Sequence, residues 1–109
     1  MGANDSLLSV QEQGNHAEIA LHCDLTIHHV ARLHASLKDL VKRCESISID
    51  MRQAGETDVA GIQLLLAVHQ AMKNENKKLH FSQPSNMLAD TVKLLELENV
   101  LKFSTAAAV

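Results

Sequence analysis

The chain has 109 residues and a formal net charge of −3; 46% of its residues are hydrophobic and only 2% are aromatic. This length predicts a single domain over residues 1–109 with an aliphatic core, and we expect frayed ends at 1–5 and 104–109. The acidic balance and the few aromatic side chains disfavour nucleic-acid binding, and no apolar run approaches the ~20 residues of a membrane-spanning helix, which disfavours membrane insertion.

The first half of the chain predicts a β-hairpin followed by a helix. Apolar and polar residues alternate at 8–10 and again over 17–23, which predicts two strands, and Gly14 lies in the turn between them. Apolar residues then recur at helical spacing and predict a helix over about 27–43. The candidate N-caps of this helix are Asp24 and Thr26.

The second half predicts two further strand–helix pairs. The alternating segment 46–51 predicts a strand, and the broad apolar stripe over 58–74 predicts a helix packed on a sheet, with Thr57 or Asp58 as its N-cap. The segment 78–82, KLHFS, predicts the next strand. The last helix follows Pro84, and its apolar face contains Leu88, Val92, Leu95, Val100 and Leu101.

This order of elements, β-β-α-β-α-β-α, predicts an α/β fold with a mixed four-stranded sheet. The segments 46–51 and 78–82 are joined by a helix, so we expect them to be parallel. The opening hairpin adds an antiparallel pair and makes the sheet mixed.

The search for catalytic chemistry gives negative expectations. There is no Gly-rich phosphate loop, no G-x-S-x-G and no H-E-x-x-H, and no two of the seven histidines stand four residues apart. We therefore expect no enzymatic activity, no metal and no cofactor. Cys23 and Cys44 form no C-x-x-C pair; because no export signal is recognisable, we expect reduced, buried thiols and a cytoplasmic location.

Asp50 is the polar residue that the predicted topology places most suggestively. It ends a buried strand next to a loop, at the carboxyl edge of the parallel pair, where open α/β sheets carry their functional loops. The structural alternative is that its carboxylate only accepts hydrogen bonds from the backbone of the following loop.

The segment around Asp50 resembles one family as a whole. Asp50, seven intervening residues and then the run DVAGIQLL from Asp58 resemble the STAS domain of sulphate transporters and anti-sigma-factor antagonists, and the order of elements matches it over nearly the entire chain. The resemblance implies a STAS-like α/β fold and a non-catalytic regulatory module for protein–protein interaction. It implies a kinase-like anti-sigma factor or a signalling histidine kinase as the partner. The alternative that it implies is a small STAS subunit bound to the ATPase of a bacterial ABC-type lipid-transport complex.

The resemblance also implies where a partner binds, namely the 52–63 loop and helix start together with the end of the preceding strand. The partner-binding residues implied in this way are Asp50, Glu56, Thr57, Asp58, Val59, Ala60, Gly61 and Gln63. In antagonist members, a Ser or Thr after the motif Asp is phosphorylated, and the added charge disrupts the complex.

This chain departs from the family pattern at that acceptor position. Val59 occupies it and Ala60 follows, and neither has a hydroxyl that could be phosphorylated. The nearest hydroxyl belongs to Thr57, which is the candidate for a displaced acceptor or, alternatively, for a helix cap. Val59 itself either contacts a partner or packs inward; the sequence leaves both open.

Overall fold

The computed structural model describes residues 7–97, 101, 103 and 104. Within these residues, five strands form one sheet in the order β1-β2-β3-β4-β5, and three helices connect the later strands. The elements in chain order are β1 (Leu8–Gln13), β2 (His16–Leu21), α1 (Val30–Arg43), β3 (Ser46–Asp50), α2 (Val59–Asn74), β4 (Lys78–Ser82), α3 (Asn86–Leu94) and β5 (Phe103–Ser104).

The sheet is mixed, as predicted. β1 and β2 form an antiparallel hairpin through the turn at Gly14, whose φ of 60° lies in the region that favours glycine. β2, β3 and β4 are mutually parallel, which confirms the four-stranded α/β prediction. The short strand β5 pairs in parallel with β4 and extends this sheet. Ser104 lies in β5, whereas the predicted frayed ends at 1–5 and 105–109 lie outside the described residues.

One face of the sheet carries the core and the other is polar. Buried side chains alternate along the strands, as in the paired positions Ala17–Ile47 and Ile19–Ile49, and they join buried residues of all three helices in one cluster. The helices therefore cover one face of a two-layer fold. The opposite face carries partly or fully exposed side chains, among them Gln11, Glu18, Ser48 and His80.

The helix boundaries differ from the sequence prediction in two places. α1 begins at Val30 and not at 27, because the amides of His29 and Val30 both donate to the Thr26 carbonyl and form a turn first. Neither expected cap is used: the helix has no side-chain cap, and the Asp24 carboxylate accepts from the Glu56 amide instead.

The predicted continuation of the last helix to Leu101 is wrong. α3 ends at Leu94, and Glu96 adopts a left-handed φ of 56°. The Leu97 amide then donates to the Val92 carbonyl at 3.0 Å, a pattern that closes the C-terminus of a helix. Leu101 is buried beyond this end, and Val100 lies outside the described residues.

The two cysteines are free thiols with different surroundings. Cys44 is buried as predicted, and burial raises the pKa of its thiol. Cys23 is only partly buried, so the expectation of full burial is wrong for it. Among the described residues, no helix combines the length and the apolar character that crossing a membrane requires.

Candidate functional site

Three loops meet at the carboxyl edge of the parallel strands, and each leads into a helix. The loop after β2 lies beside the loop after β3: the Leu25 amide donates to the Glu56 carbonyl at 2.7 Å, and the Asp58 amide donates to the Leu25 carbonyl at 3.1 Å. The loop after β4 is tied in through Met51, whose carbonyl accepts from the Ser85 amide at 3.2 Å. The starts of α1, α2 and α3 therefore form one surface.

Asp58 holds two of these loops together. Its Oδ1 accepts from the Gly61 amide at 3.0 Å, so Asp58 rather than Thr57 is the N-cap of α2. Its Oδ2 accepts from the Ile27 amide at 3.0 Å, which ties the start of α2 to the loop before α1. These backbone hydrogen bonds, from Ile27 first and Gly61 next, lower the pKa of Asp58 below its ordinary value of 3.8, and the nearby His28 adds to the effect. Asp58 is therefore ionised near neutral pH.

The Asp50 carboxylate is hydrogen-bonded to Arg52, two residues further along the chain. Oδ1 of Asp50 accepts from the Arg52 amide at 3.0 Å, and Oδ2 accepts from the Arg52 guanidinium at 2.7 Å. Burial opposes ionisation of Asp50, yet the side-chain and backbone hydrogen bonds from Arg52 outweigh it and lower its pKa. The structural role that the sequence left open, binding the loop backbone, is present.

The other predicted site residues divide into accessible and inaccessible groups. Glu56, Val59 and Gln63 are exposed, and Ala60 is half-buried. Gly61 is buried: a Cβ built on it would lie 2.0 Å from the Leu25 carbonyl oxygen, so this position serves the close approach of two backbones. Val59 is 60% exposed, so it does not pack inward and is accessible to a partner.

Thr57 combines a backbone and a side-chain peculiarity. Its backbone forms an isolated parallel bridge with Leu25, which extends the contact between the two loops. Its Oγ1 is buried and has no hydrogen-bond partner in the described part of the chain. A buried hydroxyl without a partner costs about 1–3 kcal/mol, so this position carries a stability deficit.

We expect Thr57→Val to raise the free energy of unfolding by about 1 kcal/mol, because valine keeps the shape and removes the unsatisfied hydroxyl. Urea unfolding measures the change. Thr91→Val is the matched control, because the Thr91 hydroxyl donates to the Met87 carbonyl at 2.9 Å and its loss brings no comparable gain. Destabilisation by Thr57→Val would show that this hydroxyl has a partner.

The structure adds an exposed apolar rim that the sequence did not indicate. Ile27, Val59 and Met87 are 63%, 60% and 54% exposed, and they stand at the starts of α1, α2 and α3; we name these three residues the apolar rim. Next to Asp58 lies a shallow groove of about 490 Å³, lined by Thr26, His28, Glu56, Thr57, Asp58, Met87 and Thr91. Ile27 was predicted to lie within a helix, and Met87 fitted no pattern, so only the meeting of the loops reveals this surface.

The site has no grouping of side chains suited to a metal. Among the residues that the structure describes, no three His, Cys, Asp or Glu side chains come together in a way that could hold an ion. Two carboxylates of the site are used internally, Asp50 by Arg52 and Asp58 by backbone amides, whereas Glu56 is exposed. The surface therefore offers apolar side chains, the exposed polar side chains of Glu56 and Gln63, and a groove.

The fold is that of solved anti-sigma-factor antagonists. Unphosphorylated SpoIIAA superimposes with a TM-score of 0.74 at 14% identity, over 92% of this chain and 90% of that one. A putative anti-sigma factor antagonist from Thermotoga maritima gives a TM-score of 0.78 at 9% identity, over 87% and 83%. An anti-sigma factor antagonist from Mycobacterium paratuberculosis gives 0.75 at 11%, over 87% and 81%. At these identities the likeness establishes the fold alone.

The family is shown by sequence. No curated protein matches the chain at a significant level. The family model described as "Mlab, STAS domain", however, matches residues 8–102, which span every strand and helix from β1 to α3. The resemblance inferred from Asp50 and the DVAGIQLL run is thereby confirmed: the chain belongs to the STAS domain family.

Proposed function

We propose that this protein is a non-catalytic regulatory module that binds a protein partner through the 52–63 loop and helix start. The observation that carries the proposal is the apolar rim around Asp58, where three large aliphatic side chains are more than half exposed. Single exposed apolar residues are normal, but here three of them stand at or next to the helix starts that meet at one edge of the sheet, and Met87 lines the groove beside Asp58. Burying the remaining exposed part of each such side chain against a partner contributes roughly 1–2 kcal/mol.

The polar residues of the segment would give this contact its orientation. Glu56 and Gln63 are exposed on either side of Val59, while Asp58 and Asp50 are held in place by hydrogen bonds within the chain. Such a surface is largely preformed, which reduces the ordering cost of binding. Gly61 and Ala60 contribute the close packing of the helix start rather than large side chains of their own.

Regulation by phosphate would have to differ from that of SpoIIAA, which is known in unphosphorylated and phosphorylated forms. Val59 and Ala60 cannot accept a phosphate. Thr57 is the displaced-acceptor candidate, and its buried Oγ1 means that the loop would have to open before a kinase could reach it. We propose that the partner binds without a phospho-switch at position 59.

The partner in this proposal is a kinase-like anti-sigma factor or a signalling histidine kinase, and the setting is bacterial signal transduction in the cytoplasm. The structural neighbours named as anti-sigma-factor antagonists support this reading. The matching family model is named for Mlab and not for a sigma-factor pathway. We therefore retain a second candidate function. That candidate is a STAS subunit bound to the ATPase of an ABC-type lipid-transport complex.

Site-specific cross-linking tests the proposal and separates the two candidates. A photo-reactive amino acid at position 59 is expected to trap a partner in the native cell, whereas the same group in place of Leu94, which is 83% exposed at the far end of α3, is expected to trap none. Mass spectrometry of the adduct then identifies the partner: a histidine-kinase-like ATPase supports the first candidate and an ABC ATPase the second. Equal trapping at both positions would contradict binding at the helix start.

A further inference from the structure

The outer surface of the helical layer carries a long groove between α1 and α2. The groove consists of two adjacent cavities that share His34 and Ala67 in their linings: a lower half of about 410 Å³ beside the C-terminal halves of the helices, and an upper half of about 310 Å³ beside their N-terminal halves. α1 has 14 residues, which corresponds to a length of roughly 21 Å. The groove therefore runs along most of both helices.

The floor of this groove is apolar and its α2 side is low. Leu37 and Val68 of the core form the bottom of the lower half, and Val41 packs against them. On the α2 side, Ala67 and Ala71 project little beyond the helix backbone. Leu37 and Val68 are already buried, so a second element that approaches closely at this place would bury the exposed parts of Val41, Ala67 and Ala71.

The α1 side of the groove is cationic. Lys38 and Lys42 stand four residues apart, so their charges form one row along the helix, and His34 lies one turn before them. Within the described residues, neither Lys38 nor Lys42 forms an ion pair, whereas Arg43 is paired with Glu12 and Asp39. Among the described residues, the two lysines beside the groove thus have no ion-pair partner, in contrast to the arginine one residue further along α1.

We propose that this groove binds an amphipathic helix of a protein partner, with an acidic flank against α1. Three features carry the inference: an apolar floor, a length of several helical turns, and an unpaired cationic row on one side only. An amphipathic helix in a groove matches all three. A small ligand fits less well, because ligand pockets enclose most of the surface of their occupant, and this groove is open along its length.

The residues on the α2 side of the groove determine which flank of the bound helix is acidic. Glu75 and Asn74 line the α2 side at the lower end, and an acidic flank there would face a carboxylate. The acidic residues of the bound helix therefore face Lys38 and Lys42. The upper half of the groove includes Ala60 and Gln63 of the 52–63 segment, whereas the lower half, where the lysines lie, contains no residue of that segment, and neither half is lined by the apolar rim.

Two designed peptides test the inference. Both are amphipathic helices of about 14 residues, matched to the groove length, with an identical leucine stripe; one carries glutamate and the other lysine on the flank. Fluorescence anisotropy with the full chain at low ionic strength is expected to show at least about tenfold tighter binding of the acidic peptide. Chemical-shift changes in ¹⁵N-labelled protein are expected at Lys38, Ala67 and Ala71.

Charge reversal supplies the decisive comparison. In Lys38→Glu/Lys42→Glu the preference is expected to invert in favour of the basic peptide. Lys73→Glu/Lys93→Glu changes the net charge by the same amount at exposed lysines that do not line the groove, and it is expected to keep the acidic preference. Circular dichroism verifies that both variants fold.

Several outcomes would overturn the inference: equal affinity for both peptides, no binding of either, or the same loss of preference in both double variants. Val59→Asp separates this surface from the proposed partner site. We expect it to leave peptide binding unchanged, and loss of binding in this variant would place the peptide on the apolar rim and contradict the groove.

Discussion

Gly61→Ala is expected to destabilise the protein by about 3 kcal/mol, a large effect for the addition of one methyl group. The new Cβ would lie 2.0 Å from the Leu25 carbonyl oxygen and 2.8 Å from the Leu25 Cβ. Rotating a side chain relieves neither contact, because the carbonyl oxygen belongs to the backbone and the position of a Cβ is fixed by the backbone. Relief would require α2 and the loop before α1 to separate, with loss of the hydrogen bonds from the Asp58 amide to Leu25 and from the Ile27 amide to Asp58.

Two other glycines serve as controls in the same urea-unfolding measurement. In Gly55→Ala the new Cβ meets Asp24 Oδ1 at 2.0 Å, but that carboxylate can rotate away, so only its hydrogen bond to the Glu56 amide is lost, at about 1 kcal/mol. In Gly14→Ala nothing lies within 4 Å of the Cβ, and the positive φ costs about 1–2 kcal/mol. If Gly61→Ala were no worse than these variants, the close packing of the two loops would be refuted.

Val59→Asp is expected to weaken partner binding by at least about 2 kcal/mol, or about 30-fold in Kd. In the complex, the new carboxylate would be desolvated by the partner. It would also stand next to the ionised Asp58 in the chain. The fold should remain intact, because Val59 is the first residue of α2 and is 60% exposed, and a helix N-terminus accommodates negative charge. Calorimetry with the partner captured at position 59 measures the affinity, and thermal unfolding checks the fold.

Leu94→Asp is the matched control for this prediction. It also places a carboxylate on an exposed aliphatic position, but at the C-terminal end of α3, away from the apolar rim. We expect the partner affinity of this variant to stay within about twofold of the wild-type value. Unchanged affinity in Val59→Asp would contradict the proposed binding surface, whereas an equal loss in both variants would point to a general effect of charge.

The strands and the start of α2 could be predicted because their signals are local. Ile47 and Ile49 alternate with serines, and Asp58 precedes an apolar helical run, so strand formation and helix capping follow from neighbours in the sequence. The start of α1 could not be predicted in the same way. Asp24 has the chemistry of an N-cap, but the Glu56 amide, 32 residues away, takes its carboxylate. The Asp24 carboxylate therefore binds an amide of another loop instead of capping α1, and this choice depends on the tertiary fold.

The candidate site divides along the same line. The sequence predicted Asp50 at the end of a strand and Asp58 and Val59 at the start of a helix, and these positions in β3 and α2 are observed. The sequence could not reveal that Ile27, Val59 and Met87 are all exposed at the helix starts. An apolar residue near a helix start is usually interpreted as part of the buried face. β5 was missed for a related reason: two residues are too short for a periodic pattern, and only their pairing with β4 defines them.

The double hydrogen bond of Asp58 makes the start of α2 and the loop before α1 a single mechanical unit. One carboxylate bridges the amides of Gly61 and Ile27, so neither segment can move outward without breaking a charge-assisted hydrogen bond. These two amide protons should therefore exchange with solvent together, in one opening event. In the proposed complex, a displacement of the start of α2 would therefore also move the loop that leads into α1.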